Sequence, residues 1–154
     1  NINISIWEEV NLYFLENLLK EARRQGYAVK ITRGYTDADE QTRWYEETVS
    51  RIAAENPNFT NVQAILEADK CVGKADTDEH RTGLLVDFEG DDALYTWLLT
   101  NAPKYGFVQR YPKGKDVTSH RKFTPNVFRY VGSDFAEKMQ MTGMCLNEYV
   151  RYLG

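Results

Sequence analysis

The chain has 154 residues, 42% of them hydrophobic and 27% charged, with a formal charge of −4. That length predicts one domain, able to bury a core without disulfides or metals. The acidic balance and scattered Lys and Arg argue against nucleic acid as a partner, because no basic stripe neutralises phosphates, and no apolar run is long enough to span a bilayer.

The chain opens at Asn1 with neither Met nor a charged-plus-apolar leader. This is the pattern of a mature or trimmed domain, and it leaves room for an export signal or anchor upstream. Ser5 with Glu8 predicts a capping box for a first helix. Its apolar face is Val10, Phe14, Leu18 and Ala22, and its stop is Gly26. Tyr27 to Thr32 alternates as a strand with Val29 and Ile31 on one side. Asp37 with Glu40 opens a second helix to about Ala54, and Thr60 with Gln63 opens a third after the break at Asn56-Pro57-Asn58.

Lys70 to Glu79 is polar and reads as a loop in which Asp76, Asp78 and Glu79 are solvated. The alternative is that Asp76 and Asp78 join His80 as ligands of a hard ion. Leu84 to Phe88 predicts a buried strand, and Asp91 to Asn101 a helix with Leu94, Trp97 and Leu98 inward. Phe107 to Tyr111 and Phe128 to Val131 are further strands, separated by a turn over Pro112 to Ser119. Two short helices start near Asp134 and Asn147. Helices come first and the sheet is assembled mostly from the second half, so the fold class is α+β. Cys71 and Cys145 fit neither a disulfide framework nor a zinc ribbon. They read as buried or half-buried thiols, with a single bridge as the alternative.

Residue chemistry alone points to Glu79-His80 and Asp87. A turn at Gly83 can bring the His and the Asp to one point, either as metal ligands or as a structural hydrogen bond at a strand edge. Two ligands do not complete a catalytic zinc site, which takes three protein ligands and a water.

Two segments widen this reading. Asp78-Glu-His80-Arg-Thr-Gly83-Leu-Leu85-Val-Asp87 and Thr124-Pro-Asn-Val-Phe-Arg-Tyr-Val-Gly132 resemble the VanY-type zinc D,D-carboxypeptidases, which trim peptidoglycan stem peptides. The family patterns are Ser-x-His-x-x-Gly-x-Ala-x-Asp and Glu-Pro-Trp-His-Phe-Arg-Tyr-Val-Gly. Asn101 to Lys115, Gly34-Tyr35 with Gln41, and the closing Cys145-Leu-Asn-Glu-Tyr149 extend the likeness over most of the chain. The resemblance implies a small antiparallel sheet packed with N-terminal helices, the hedgehog/VanX-like fold. It also implies a bacterial, extracellular or cell-envelope setting.

The departures fall on the family's working positions. His80 and Asp87 occupy two metal-ligand positions, while the third is Val127. The general-base Glu is Thr124, the Arg after Gly-Tyr is Thr36, the substrate-contacting Ser is Asp78, and the Trp before the third ligand is Asn126. Tyr35, Gln41 and Asp78 remain at substrate-binding positions. No catalytic residue is expected, and no cofactor unless a residual zinc site survives with His120 as substitute ligand.

Arg33 lies three residues before the vacated Arg position, and strand alternation points it elsewhere. Lys113, Lys115, Arg121 and Lys122 read as a charged hairpin turn, or as a contact for stem-peptide carboxylates or teichoic phosphate. Two functions follow from the resemblance. One is a pseudoenzyme that binds peptidoglycan stem peptide or an envelope protein. The other is a residual or altered zinc metallopeptidase acting on cell-wall peptides.

Overall fold

The computed structural model describes residues 6–154. Helix α1 (Ile6–Arg24) turns Leu15, Leu18 and Ala22 into the core, with Val10 and Phe14 packed beside them. The capping pair expected at Ser5 and Glu8 lies outside the described residues. Helices α2 (Ala38–Glu55) and α3 (Asn61–Asp69) begin at the expected boxes. The side chains of Asp37 and Thr60 accept from the backbone N–H of Glu40 and Gln63, and those residues reach back to the caps. Each cap is worth about 1 kcal/mol. The two helices close on each other through Ile52, Ala64 and Ala68.

Four strands, β1 (Lys30–Arg33), β2 (Leu85–Glu89), β3 (Phe107–Tyr111) and β4 (Thr124–Tyr130), form one antiparallel sheet in the order β1-β2-β4-β3. Side chains alternate across it. Val86, Phe88, Phe107, Phe128 and Tyr130 join the core beneath α1 and helix α4 (Asp92–Asn101). On the opposite face Leu85, Tyr111 and Val127 form a smaller cluster.

A 3-10 turn over Ala102–Tyr105 ends at Gly106, with φ 86°. A Cβ there would stand 2.6 Å from the Tyr130 ring, so only glycine fits both the backbone and the space. The short helix α5 (Asp116–Ser119) follows β3. Helices α6 (Ser133–Thr142) and α7 (Leu146–Leu153) cover the β3 edge through Ala136, Met139 and Tyr149 packed on Val108.

Four expectations need correction. The first strand starts at Lys30, and Ile31 is 41% exposed while Val29 is 5% exposed, so the two do not share a buried side. Val29 precedes the strand, whereas Ile31 lies on a sheet-edge strand; beyond it the register runs Ile31↔Phe88 and then Arg33↔Asp87, leaving Thr32 as an extra, bulged residue. Second, β4 begins at Thr124 rather than Phe128. Pro125 is tolerated there because the ladder with β3 is irregular, passing from Gln109↔Phe128 to Tyr111↔Thr124.

Third, both cysteines are free, and Cys71 is exposed while Cys145 is buried. Fourth, the turn expected over Pro112 to Ser119 contains the short helix α5, and basic residues of this region are paired. Lys115 pairs with Glu148 at 2.9 Å, Lys122 with Glu67 at 2.9 Å, and Arg121 donates to the Asp69 carbonyl at 2.8 Å.

Candidate functional site

The site is built where the loop after α3 enters β2. A 3-10 turn, Glu79–Thr82, is capped by Asp78, whose carboxylate accepts from the His80 N–H at 2.9 Å, and it ends at Gly83 with φ 74°. This turn buries His80 to 3% exposure. Its Nδ1 lies 2.6 Å from Asp78 Oδ1 and its Nε2 lies 2.6 Å from Asp87 Oδ1. The other Asp78 oxygen accepts from the Gly73 N–H at 2.8 Å.

The result is a carboxylate–imidazole–carboxylate chain with both ring nitrogens engaged. Burial alone would lower the His80 pKa, but the hydrogen bonds and charges of Asp78 and Asp87 outweigh it and raise the value from 6.5 to about 9. Burial pushes the Asp78 carboxyl up, yet the His80 and Gly73 hydrogen bonds hold it below its ordinary value. At neutral pH the chain is therefore an imidazolium between two carboxylates.

Glu79 secures this turn from the other side. Its carboxylate accepts from Arg110 Nε at 2.6 Å and pairs with Arg129 Nη1, and Arg110 in turn donates to Asn147 Oδ1 at 2.6 Å. One half-buried carboxylate thus ties the turn to β3, β4 and α7. Solvation was the expectation for Asp76, Asp78 and Glu79. Only Asp76 is exposed; Asp78 is spent on His80 and Gly73, and Glu79 on two arginines.

A cavity of about 80 Å³ opens beside His80, lined by Trp44, Cys71, Asp78, Asp87, Tyr111, Arg121, Thr124 and Val127. Val127 stands directly across from Asp87 in the β2–β4 ladder and is 5% exposed. The Thr124 hydroxyl donates to the Lys122 carbonyl at 2.9 Å. Thr36 and Gln41 lie below the surface: the Thr36 hydroxyl donates to Gln41 Oε1 at 2.7 Å, and Gln41 Nε2 donates to the Gly73 carbonyl at 2.7 Å. Gln41 has no exposed area, so its amide serves the framework of the pocket loop. Tyr35 is 60% exposed and its phenol oxygen accepts from Arg81. Asn126 donates to the Phe88 carbonyl at 3.1 Å. His120 is exposed at the end of α5 with φ 60°, and it does not line the cavity.

Sequence reasoning missed Trp44, Cys71 and Tyr111 as cavity residues. Trp44 was within reach of pattern reading, since the Asp37 cap fixes the phase of α2 and puts Gln41, Trp44 and Thr48 on one face. Arg33 was read in the wrong direction. The bulge at Thr32 places it opposite Asp87, on the cavity side of the sheet, and its guanidinium lies 3.5 Å over the Trp44 ring. Trp44 in turn meets the His80 ring at 5.2 Å and 80°.

Zinc, as the resemblance implies it, does not fit this donor set. His80 and Asp87 offer two donors, and each is turned onto the other. The residue facing them, Val127, has no lone pair. Asp78 sits behind the ring on Nδ1, where it orients the imidazole rather than adding a ligand. Among the described residues no three His, Cys, Asp or Glu side chains are grouped to hold a metal.

Comparison with known proteins gives the geometry its lineage. A D-alanyl-D-alanine carboxypeptidase of Enterococcus faecalis strain V583 is 33% identical over 143 residues, covering 89% of this chain and 53% of that protein. One of Enterococcus faecium is 28% identical over 98% of this chain and 46% of its own length. The chain thus spans about half the length of these relatives. The structure of VanYB in complex with D-alanine-D-alanine superposes with a TM-score of 0.87 at 32% identity, over 92% of this chain and 80% of that one. That of a vancomycin-resistance D,D-pentapeptidase VanY mutant with Zn(II) gives 0.86 at 31%, over 96% and 83%. An LD-carboxypeptidase, LdcB, whose structure reveals its peptidoglycan recognition, gives 0.76 at 27%, over 92% and 67%. Residues 6–133 match the family described as VanY, D-alanyl-D-alanine carboxypeptidase, and the chain belongs to that family.

Proposed function

We propose that this domain is a non-catalytic member of the VanY family, which retains the pocket and uses it to bind the peptide ends of peptidoglycan. The cross-strand pair Asp87↔Val127 carries the reading. An isopropyl side chain occupies the place from which a third ligand would meet His80 and Asp87, and no protonation state gives it a donor. The base position holds Thr124, whose hydroxyl cannot take a proton from water at neutral pH. General-base catalysis contributes roughly 10²–10⁴-fold, and a metal adds to it by generating the nucleophile. Without either, peptide hydrolysis falls to background.

The ligand class is taken from the relatives. VanYB has been solved in complex with D-alanine-D-alanine, and the LdcB structure reveals the basis of its peptidoglycan recognition. Both pocket and fold are kept here, which favours peptide binding over an unrelated envelope-protein partner. The setting that follows is the bacterial cell envelope or its exterior. No helix among the described residues is long and apolar enough to cross a membrane.

The test pairs metal analysis with calorimetric titration of N-acetyl-D-Ala-D-Ala. The proposal expects no bound zinc above the level of a His80→Ala variant, no cleavage, and saturable peptide binding. Stoichiometric zinc with slow cleavage, both lost in His80→Ala, would establish the residual peptidase instead. Absence of peptide binding would end the reading.

A further inference from the structure

The outer side of α1 carries a stripe that neither the core nor the cavity uses. Tyr13, Asn17, Lys20 and Arg24 follow one another at helical spacing, so they share one side of the helix. Lys104 and Tyr105, in the 3-10 turn that leads into β3, form the facing wall. Together they line a groove of about 590 Å³, within the range of roughly 300–1,000 Å³ typical of ligand sites. Because α1 covers the core face of the sheet, the groove lies on the side away from the cavity beside His80.

The groove is basic in a chain whose formal charge is −4. Its one acid, Glu21, is held by Arg24 through bonds of 2.9 and 2.7 Å and by Gln25 at 3.0 Å. Lys20 and Lys104 have no such partner. Both are exposed and, among the described residues, neither makes an ion pair or a side-chain hydrogen bond. Two uncommitted ammonium groups therefore serve one groove, one from each wall.

The aromatic residues narrow the ligand class. Tyr13 is 63% exposed. Its ring meets Phe14 edge to face at 5.3 Å, and Phe14 is stacked on Tyr130 of the core. An exposed ring on so firm a base offers an electron-rich face to the partly positive C–H groups of a sugar ring. The Asn17 amide and the tyrosine hydroxyls supply donors and acceptors for sugar hydroxyls. An acidic peptide is a poorer match, because peptides dock on an open strand edge or in apolar pockets, and this groove runs between a helix and a turn. Nucleic acid is poorer still, since two free cations cannot neutralise a run of phosphates.

We infer that the groove between α1 and the Ala102–Tyr105 turn is a second binding site, which takes an anionic oligosaccharide with its rings on Tyr13 and Tyr105 and its carboxylate or phosphate between Lys20 and Lys104. The site stands apart from the proposed peptide pocket, so one domain can hold two ligands at once, one on each side of its sheet.

The experiment titrates two sugars into the full chain by calorimetry: a hyaluronan tetrasaccharide, which carries carboxylates, and chitotetraose, which carries none. The anionic sugar should bind roughly tenfold more tightly, on the strength of two exposed ion pairs, and about 0.5 M salt should erase the difference. The double variant Lys20→Gln, Lys104→Gln should bring the anionic sugar down to the affinity of the neutral one. Tyr13→Ala should weaken both sugars several-fold. All three side chains are exposed, and circular dichroism checks that the variants fold.

Equal binding of the two sugars by the wild type, or binding of neither, would overturn the inference. So would a preference for hyaluronan that survives in the double variant. Inorganic phosphate or oligo-aspartate binding as tightly as hyaluronan would overturn it as well, the first marking a bare anion site and the second a peptide site. None of these outcomes touches the function proposed for the cavity, which titration of N-acetyl-D-Ala-D-Ala into the same variants reports separately.

Discussion

The two faces of the sheet are written by the same strands and obey different rules. On β2 and β4, Val86, Phe88, Phe128 and Tyr130 enter a dry core under α1 and α4, with Phe88 and Phe128 meeting edge to face at 5.6 Å. Their sequence neighbours look the other way: Asp87 and Val127 line the cavity, and Arg129 pairs with Glu79. A period of two lets one face hold the fold while the next residue along carries the chemistry. A substitution at position 127, on the cavity face, therefore leaves the packing of Phe128 on the core face untouched.

That separation can be broken most strongly from the core side. Phe128→Ala removes a side chain with no exposed area and should cost about 3–5 kcal/mol, read from denaturant unfolding. A loss below about 1 kcal/mol would mean that the core is less continuous than the packing indicates. Glu79→Gln should come next, at about 2–4 kcal/mol, because it leaves Arg110 and Arg129 half-buried without their counter-charge. It should also loosen α7, visible as faster amide exchange there, since Arg110 also holds Asn147.

On the cavity face, Val127→His is expected to cost less stability and to gain a property. It places an imidazole across from Asp87 and should confer stoichiometric zinc binding, measured by metal analysis and lost again in a His80→Ala double variant. No zinc uptake would show that a donor at position 127 is not sufficient to complete a metal site here.

The smallest effect is expected from titration. Because the folded-state pKa of His80 is raised above 6.5 to about 9, its stabilisation is fully present below pH 6.5 and is lost as pH rises through 9. Asp78 acts in the opposite sense: its folded pKa is lowered, so its contribution is present above its unfolded value and is lost in acid. The His80 ring protons, followed by NMR, should titrate near pH 9; a midpoint near 6.5 would refute the bridged imidazolium.

Sequence reading recovered what local chemistry determines. The Asp37 and Thr60 boxes started α2 and α3 at the right residues, and the 3.6-residue spacing of Val10, Phe14, Leu18 and Ala22 marked the buried side of α1. The turn expected at Gly83 was read as able to bring His80 and Asp87 to one point, and they meet at 2.6 Å. What escaped notice depends on partners far along the chain. Glu79 looked solvated because its arginines lie 31 and 50 residues away. Arg33 looked misdirected because a bulge is a property of the pairing, and neither strand shows it alone. Pro125 hid the start of β4, since proline argues against a strand unless the ladder is already irregular.

The bulge in β1 has a second consequence, for the chain's behaviour in company. β1 and β3 are the two ends of the sheet, and an open sheet end is a template on which another polypeptide can add a strand. The β3 end is covered by α6 and α7. The β1 end is only four residues long, carries Lys30 and Arg33, and is kinked at Thr32. A short, charged and twisted edge is a poor template, so the inserted residue that sets an arginine against Trp44 also guards the sheet against self-association.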